Sequence, residues 1–117
     1  MNLGLPYQIL SMKNLNIVDI RRKVREIRCP ESEKLLIRGI WQEDIIIDLI
    51  KNGWVDSPLG NLKGSARSYK NLYKESFYNL RTRLSEFGLY LRRFAGPRGG
   101  ENRAFYVLEV SNVNYPS

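Results

Sequence analysis

The run from Tyr69 to Val110 constrains the fold more than any other part of the chain. Tyr69, Leu72, Tyr73, Ser76, Phe77, Leu80, Leu84 and Phe87 recur at alternating spacings of three and four, which places them on one stripe of a helix that needs a packing partner. Gly88 is a natural stop. Beyond it, Leu89–Phe94 and Arg103–Val110 read as two strands around the tip Ala95–Asn102, whose Gly96, Pro97, Gly99 and Gly100 suit a turn. A helix that must bury one side and runs straight into a hairpin implies a small α+β domain.

The opposite side of that helix carries Lys70, Lys74, Tyr78, Arg81, Thr82 and Ser85, side chains able to reach phosphates and base edges. The charge distribution agrees. The 117 residues carry a formal charge of +7, yet residues 1–62 hold nine basic and eight acidic side chains, whereas residues 63–117 hold ten basic and four acidic. The excess therefore sits on the helix, the hairpin and the segment just before them, where Lys63, Ser65 and Arg67 lie. A polyanionic partner is expected there.

Residue types exclude several chemistries. Cys29 is the single cysteine and histidine is absent, so an intramolecular disulfide, the common zinc sites and Ser/His or Cys/His nucleophiles cannot be built. No Walker-type phosphate loop or dinucleotide fingerprint occurs. Acids such as Asp19, Asp44, Asp48 and Asp56 leave a carboxylate nuclease open on composition alone, without a spacing that singles one out. We expect no enzyme and no cofactor. No apolar run is long enough to span a bilayer and the N-terminus lacks a secretory pattern, so the expected location is cytoplasmic, and nucleoid-associated if the partner is DNA.

Upstream, residues 1–13 form an apolar arm with Leu3, Leu5, Tyr7, Ile9 and Leu10, suited to docking on the domain or on a partner. Ile17, Ile20, Val24 and Ile27 predict a first helix up to Arg28, with the arginines at 21, 22, 25 and 28 on a solvated face or near phosphates. Pro30, Glu31 and Glu33 suggest the start of a second helix through Leu35, Leu36, Ile40 and Trp41 to about Gln42. A third follows from Glu43 to the Lys51-Asn52-Gly53 stop, unless the two run together through Gly39. Trp41 and Trp54 are expected in the core, as are Tyr73 and Phe77, and Cys29 is expected to be buried. A loop fills Trp54–Arg67, and residues 111–117 form a loose tail.

Three helices followed by a two-stranded hairpin, the last helix basic, is the winged helix-turn-helix order. Within it, Phe77, Leu80-Arg81, Arg83 and Leu84, followed by Phe87-Gly88-Leu89, resemble the recognition helix of the winged-helix effector domains of bacterial response regulators. Gly100 and Tyr106 stand near the positions of a glycine and a tyrosine in that family's second wing strand. Glu31–Leu36 and Asp44–Trp54 look like its first two helices, and the stretch from Val55 to Ala66 is similar to its long connection, which can contact RNA polymerase in those proteins. These 117 residues include no receiver domain, and Asn16–Arg28 reads as a helix where the family opens with a small sheet.

The resemblance implies, for residues 14–110, a winged-helix domain that reads double-stranded DNA. The residues expected at the duplex are Lys63, Arg67, Lys70, Lys74, Tyr78, Arg81, Thr82 and Ser85, with Arg98 and Arg103 on the wing. Transcription regulation or a DNA-architectural role is the expected function, with a homodimer or larger nucleoprotein assembly supplying affinity that one short helix lacks. The alternatives are a winged-helix adaptor that binds protein and an RNA-binding domain.

Overall fold

The computed structural model describes residues 4–57, 67–95 and 104–110. Among them are four α-helices, α1 (Leu5–Leu10), α2 (Ile17–Val24), α3 (Ile40–Asn52) and α4 (Arg67–Ser85), and three strands, β1 (Trp54–Asp56), β2 (Leu89–Ala95) and β3 (Ala104–Val110). The strands form one antiparallel sheet in the order β1-β3-β2. This is an α+β domain, as expected, but its four helices are not the four read from the sequence: α1 forms in the segment read as an arm, no separate helix covers Glu31–Gln42, and β1 is an additional strand.

The apolar arm belongs to the fold. Pro6 sits in the first turn of α1, and a 3-10 turn over Ser11–Asn14 continues it, burying Ile9 and Met12 in the common core. Asn16 then caps α2. Its Oδ1 accepts from the Asp19 backbone N–H at 2.8 Å, while its Nδ2 donates to the Asp19 carboxylate at 3.2 Å. Ile20 and Val24 are buried, and the helix gives way to turns after eight residues, short of the expected Arg28.

The predicted helix from Glu31 to Gln42 is not formed before Ile40. The chain instead reverses on itself: Cys29 N–H donates to Lys34 O, Leu36 N–H donates to Ile27 O, and Arg28 bridges to Leu35. The Glu86 carboxylate, just beyond α4, accepts from the backbone N–H groups of Glu31 and Ser32 at 3.0 and 2.9 Å. Those contacts satisfy groups that a helix would otherwise have taken up, and the adjacent Leu36 and Ile37 both enter the core.

α3 does end as expected, at Gly53 in the left-handed region (φ 86°), whose N–H returns to Leu49 O. Its start is at Ile40. Gly53 leads directly into β1, which pairs with β3 through Trp54↔Val107, Val55↔Tyr106 and Asp56↔Phe105. Gly88 (φ 77°) makes the second left-handed stop, between α4 and β2. β2 and β3 then pair along seven residues, from Leu89↔Val110 to Ala95↔Ala104.

The core lies between the helices and one face of the sheet. Ile46, Leu49 and Ile50 of α3 meet Phe77, Leu80 and Leu84 of α4, with Leu89, Leu91 and Tyr106 beneath. Two expected core residues stand elsewhere: Trp54 is 47% exposed and Leu72 is 57% exposed. Trp41 is half-buried against Tyr73, with ring centroids 5.2 Å apart.

Arg21 of α2 and Arg25 just after it are tied to the next helix rather than free for a partner. Arg25 holds the buried Glu43 carboxylate through Nε and Nη2 at 2.8 and 2.9 Å, and Arg21 adds Nη1 at 3.0 Å while its Nη2 reaches Asp44. Arg22 pairs with Asp19, and Arg28 donates to Glu33 O. The hydrogen bonds from Arg25 and then Arg21 hold the Glu43 carboxyl below its ordinary value, against the opposing effect of burial. A lowered folded pKa contributes stability above the unfolded value of about 4.3 and loses it as pH falls through the folded value. Glu43→Gln is therefore expected to melt a few degrees below the wild type at neutral pH, with the gap closing in acid. Melting temperatures measured across that range check this, and a gap that does not change with pH would refute it.

Candidate nucleic-acid interface

α4 spans 19 residues, about 28 Å, with Phe77, Leu80 and Leu84 fixed in the core and Tyr73 packed against it. Its outward side presents Lys74, Tyr78, Arg81 and Thr82, all exposed, with Ser85 half-buried one turn on. The helix carries Arg67, Lys70, Lys74, Arg81 and Arg83 against the single acid Glu75.

The middle of this face has a defined geometry. The Tyr78 ring meets Phe77 edge-on at 5.4 Å, and Phe77 contacts Tyr106 of β3 at 4.9 Å. The Arg81 guanidinium lies over both tyrosines, 5.9 Å from the Tyr78 ring and 5.5 Å from the Tyr106 ring. Burial pushes the Tyr106 hydroxyl up, a hydrogen bond with Tyr78 adds to this, and the charges of Arg81 and Arg93 oppose it. Thr82 and Ser85 donate their hydroxyls back to the carbonyls of Tyr78 and Thr82, leaving their oxygens as acceptors.

Arg93 was missed by sequence reasoning. It lies opposite Tyr106 in the β2–β3 ladder and on the same sheet face as Leu89 and Leu91, yet it is exposed where those two are buried. It therefore adds a second guanidinium beside Tyr106. Strand alternation alone would have put Arg93 on the helix-facing side, and the signal was an arginine at a position of core parity. Arg92 points to the other face, where it pairs with Glu109 at 3.7 Å. Arg83, part of the resemblance, faces inward and donates to Leu36 O and to Gln42 Oε1, both at 2.9 Å.

Of the remaining residues expected at the duplex, Arg67 and Lys70 belong to the first turn of α4, and only their place in the helix is described. Lys63, Arg98 and Arg103 lie outside the described residues, as do most of the wing tip and the C-terminal tail. The four acids considered for metal chemistry do not converge. Asp19 and Asp44 are paired to Arg22 and Arg21, while Asp48 and Asp56 border a cleft of about 220 Å³ with Trp54 and Tyr73. Among the described residues no group of three or more acids, cysteines or histidines is placed to hold a metal ion, and no helix is long and apolar enough to cross a membrane. No family model, curated protein or solved structure matches this chain.

Proposed function

We propose that the chain is a winged helix-turn-helix protein that binds double-stranded DNA, with α4 as the recognition helix in the major groove and the β2–β3 hairpin as the wing. The observation that carries this reading is the outward face of α4, where Lys74, Tyr78 and Arg81 are exposed on a helix locked into the core along its other side, with Arg81 over the ring of Tyr106, the residue that Arg93 of β2 pairs with. The element order supports it: a helix, a short strand, the basic helix and a hairpin whose far strand accepts the short one.

The chemistry follows from the geometry. Arg81, oriented over two tyrosine rings, can offer a guanine edge a bidentate contact worth about 1–3 kcal/mol of discrimination. Lys74 and Arg93 supply phosphate contacts to either side, extended by Lys63 before the helix, by Arg67 and Lys70 in its first turn and by Arg98 and Arg103 on the wing. Tyr78, Thr82 and Ser85 contribute hydroxyl contacts. The protein acts without catalysis, as a transcription regulator or an architectural DNA factor.

The test is binding to duplex DNA, single-stranded DNA and RNA across a salt series. Duplex binding is expected to win and to fall steeply with salt. Lys74→Glu/Arg81→Glu is expected to weaken it at least about a hundredfold with the melting temperature preserved, and Arg93→Ala to lower the salt slope by about one. Duplex binding indifferent to the double reversal would overturn the proposal. A folded protein that ignores duplex at low salt would pass the function to a protein-binding adaptor, and a preference for RNA would pass it to an RNA-binding domain.

A further inference from the structure

The sheet has a second face, and its composition is unlike the rest of this basic chain. The ladder registers place Tyr90, Arg92 and Phe94 of β2 beside Glu109, Val107 and Phe105 of β3, with Trp54 and Asp56 of β1 on the far side. Residues of the other parity, Val55, Tyr106, Leu89 and Leu91, are buried under the helices, so these eight point away from them. Trp54 is 47% and Tyr90 45% exposed.

The rings on this face form a connected cluster. Trp54 meets Phe105 edge-on at 5.9 Å, and Phe105 stacks on Phe94 at 5.5 Å with the planes 17° apart. The Arg92 guanidinium lies 5.0 Å over Phe94 while pairing with Glu109. Arg92, Glu109 and Asp56 sum to a charge of −1 on a molecule of +7.

We propose that this face binds a second copy of the same chain. The charges decide the class of partner. A nucleic-acid strand stacked on these rings would bring its phosphates against Glu109 and Asp56, whereas two copies of a strongly basic protein meet here with little of their mutual repulsion. They also decide for self-association. Arg92 and Glu109 are diagonal neighbours on adjacent strands, so a two-fold axis lying in the plane between two such faces, across the line that joins these side chains, sets each copy's Arg92 against the other copy's Glu109.

The face is roughly 23 by 14 Å from strand length and spacing. That is under half of the ~800 Å² per partner of a standard interface, so the contact is reversible and concentration-dependent. It lies on the side of the sheet opposite Tyr106 and leaves the outward face of α4 open. The use of such a dimer, to present two helices to two half-sites, rests on the DNA-binding proposal; the contact itself does not.

Sedimentation of the full chain without nucleic acid, from micromolar to millimolar concentration, tests it. The mean mass is expected to climb from 13.7 kDa toward twice that value. Arg92→Glu and Glu109→Arg, both at exposed positions, are each expected to weaken association at least tenfold, because each sets like charges across the axis. Mixing the two variants, or combining both changes in one chain, is expected to restore it. Both variants should melt within a few degrees of the wild type.

A chain that stays at one-copy mass throughout, or self-association that ignores both reversals, would overturn the proposal. So would quenching of Trp54 fluorescence by single-stranded DNA in a monomeric protein, which would give the face to nucleic acid. Duplex binding lost in Lys74→Glu/Arg81→Glu with self-association intact keeps the two proposals separable.

Discussion

Phe77→Ala is expected to cost about 3–5 kcal/mol of folding stability, a large part of the roughly 5–15 kcal/mol that a domain of this kind possesses. The ring is 1% exposed and is among the largest fully buried side chains. It joins α4 to the sheet through Tyr106 at 4.9 Å, and truncation leaves a cavity at the junction that aligns the two elements. The informative control is Leu72→Ala. Leu72 shares the same apolar stripe in the sequence, but its 57% exposure predicts a change within about 0.5 kcal/mol. Urea unfolding of the two variants measures both, with midpoints shifting and slopes preserved. Similar losses for the two would mean that the stripe is buried along its whole length, contrary to the observed packing.

That contrast marks what the sequence could convey. α4 and the hairpin were legible because their apolar periods differ, 3.6 residues for the helix and 2 for the strands, and because Gly53 and Gly88 sit at left-handed stops that other residues resist. The stretch from Glu31 to Gln42 was misread for a physical reason. Its apolar spacing fits a helix, but its backbone is held by partners distant in the sequence: Glu86 lies 54 and 55 residues from the N–H groups it accepts. β1 has three residues and becomes a strand only through β3, some fifty residues later. A strand that short carries no alternation of its own to read.

The candidate interface was legible to a similar degree. Lys74, Tyr78, Arg81 and Thr82 follow from the helical wheel, since the apolar stripe fixes which side is left over. Arg93 does not, because its exposure depends on where the core ends along β2. Arg21 and Arg25 look like phosphate ligands until Glu43, 22 and 18 residues on, is seen to occupy them. The aromatic outer face of the sheet was hidden by the expectation that a tryptophan is buried. The register between β1 and β3 is what brings Trp54 to Phe105.

Gln42→Met is expected to cost about 2–3 kcal/mol although it preserves side-chain length and burial. Gln42 is 2% exposed and its amide joins three segments. Oε1 accepts from the Arg38 backbone N–H at 2.6 Å and from Arg83 Nη1 at 2.9 Å, while Nε2 donates to Ser76 O at 2.9 Å. The first contact acts much like a capping box, with a side chain in the first turn of α3 reaching back to the chain that precedes it. The second is charge-assisted, and the third fixes α3 against α4. Methionine removes all three, leaving the Arg38 N–H without its acceptor and Arg83 with Leu36 O alone among these partners. Gln42→Ala adds a cavity and is expected to cost more, about 3–5 kcal/mol. A cycle of Gln42→Met and Arg83→Met by urea unfolding should return a coupling of at least about 1 kcal/mol. Because these contacts lie beneath α4, the folded Gln42→Met protein is expected to change the proposed duplex binding by no more than about twofold, unlike the charge reversals on the outer face. A loss under 0.5 kcal/mol would mean that the network adds nothing beyond what shape alone supplies.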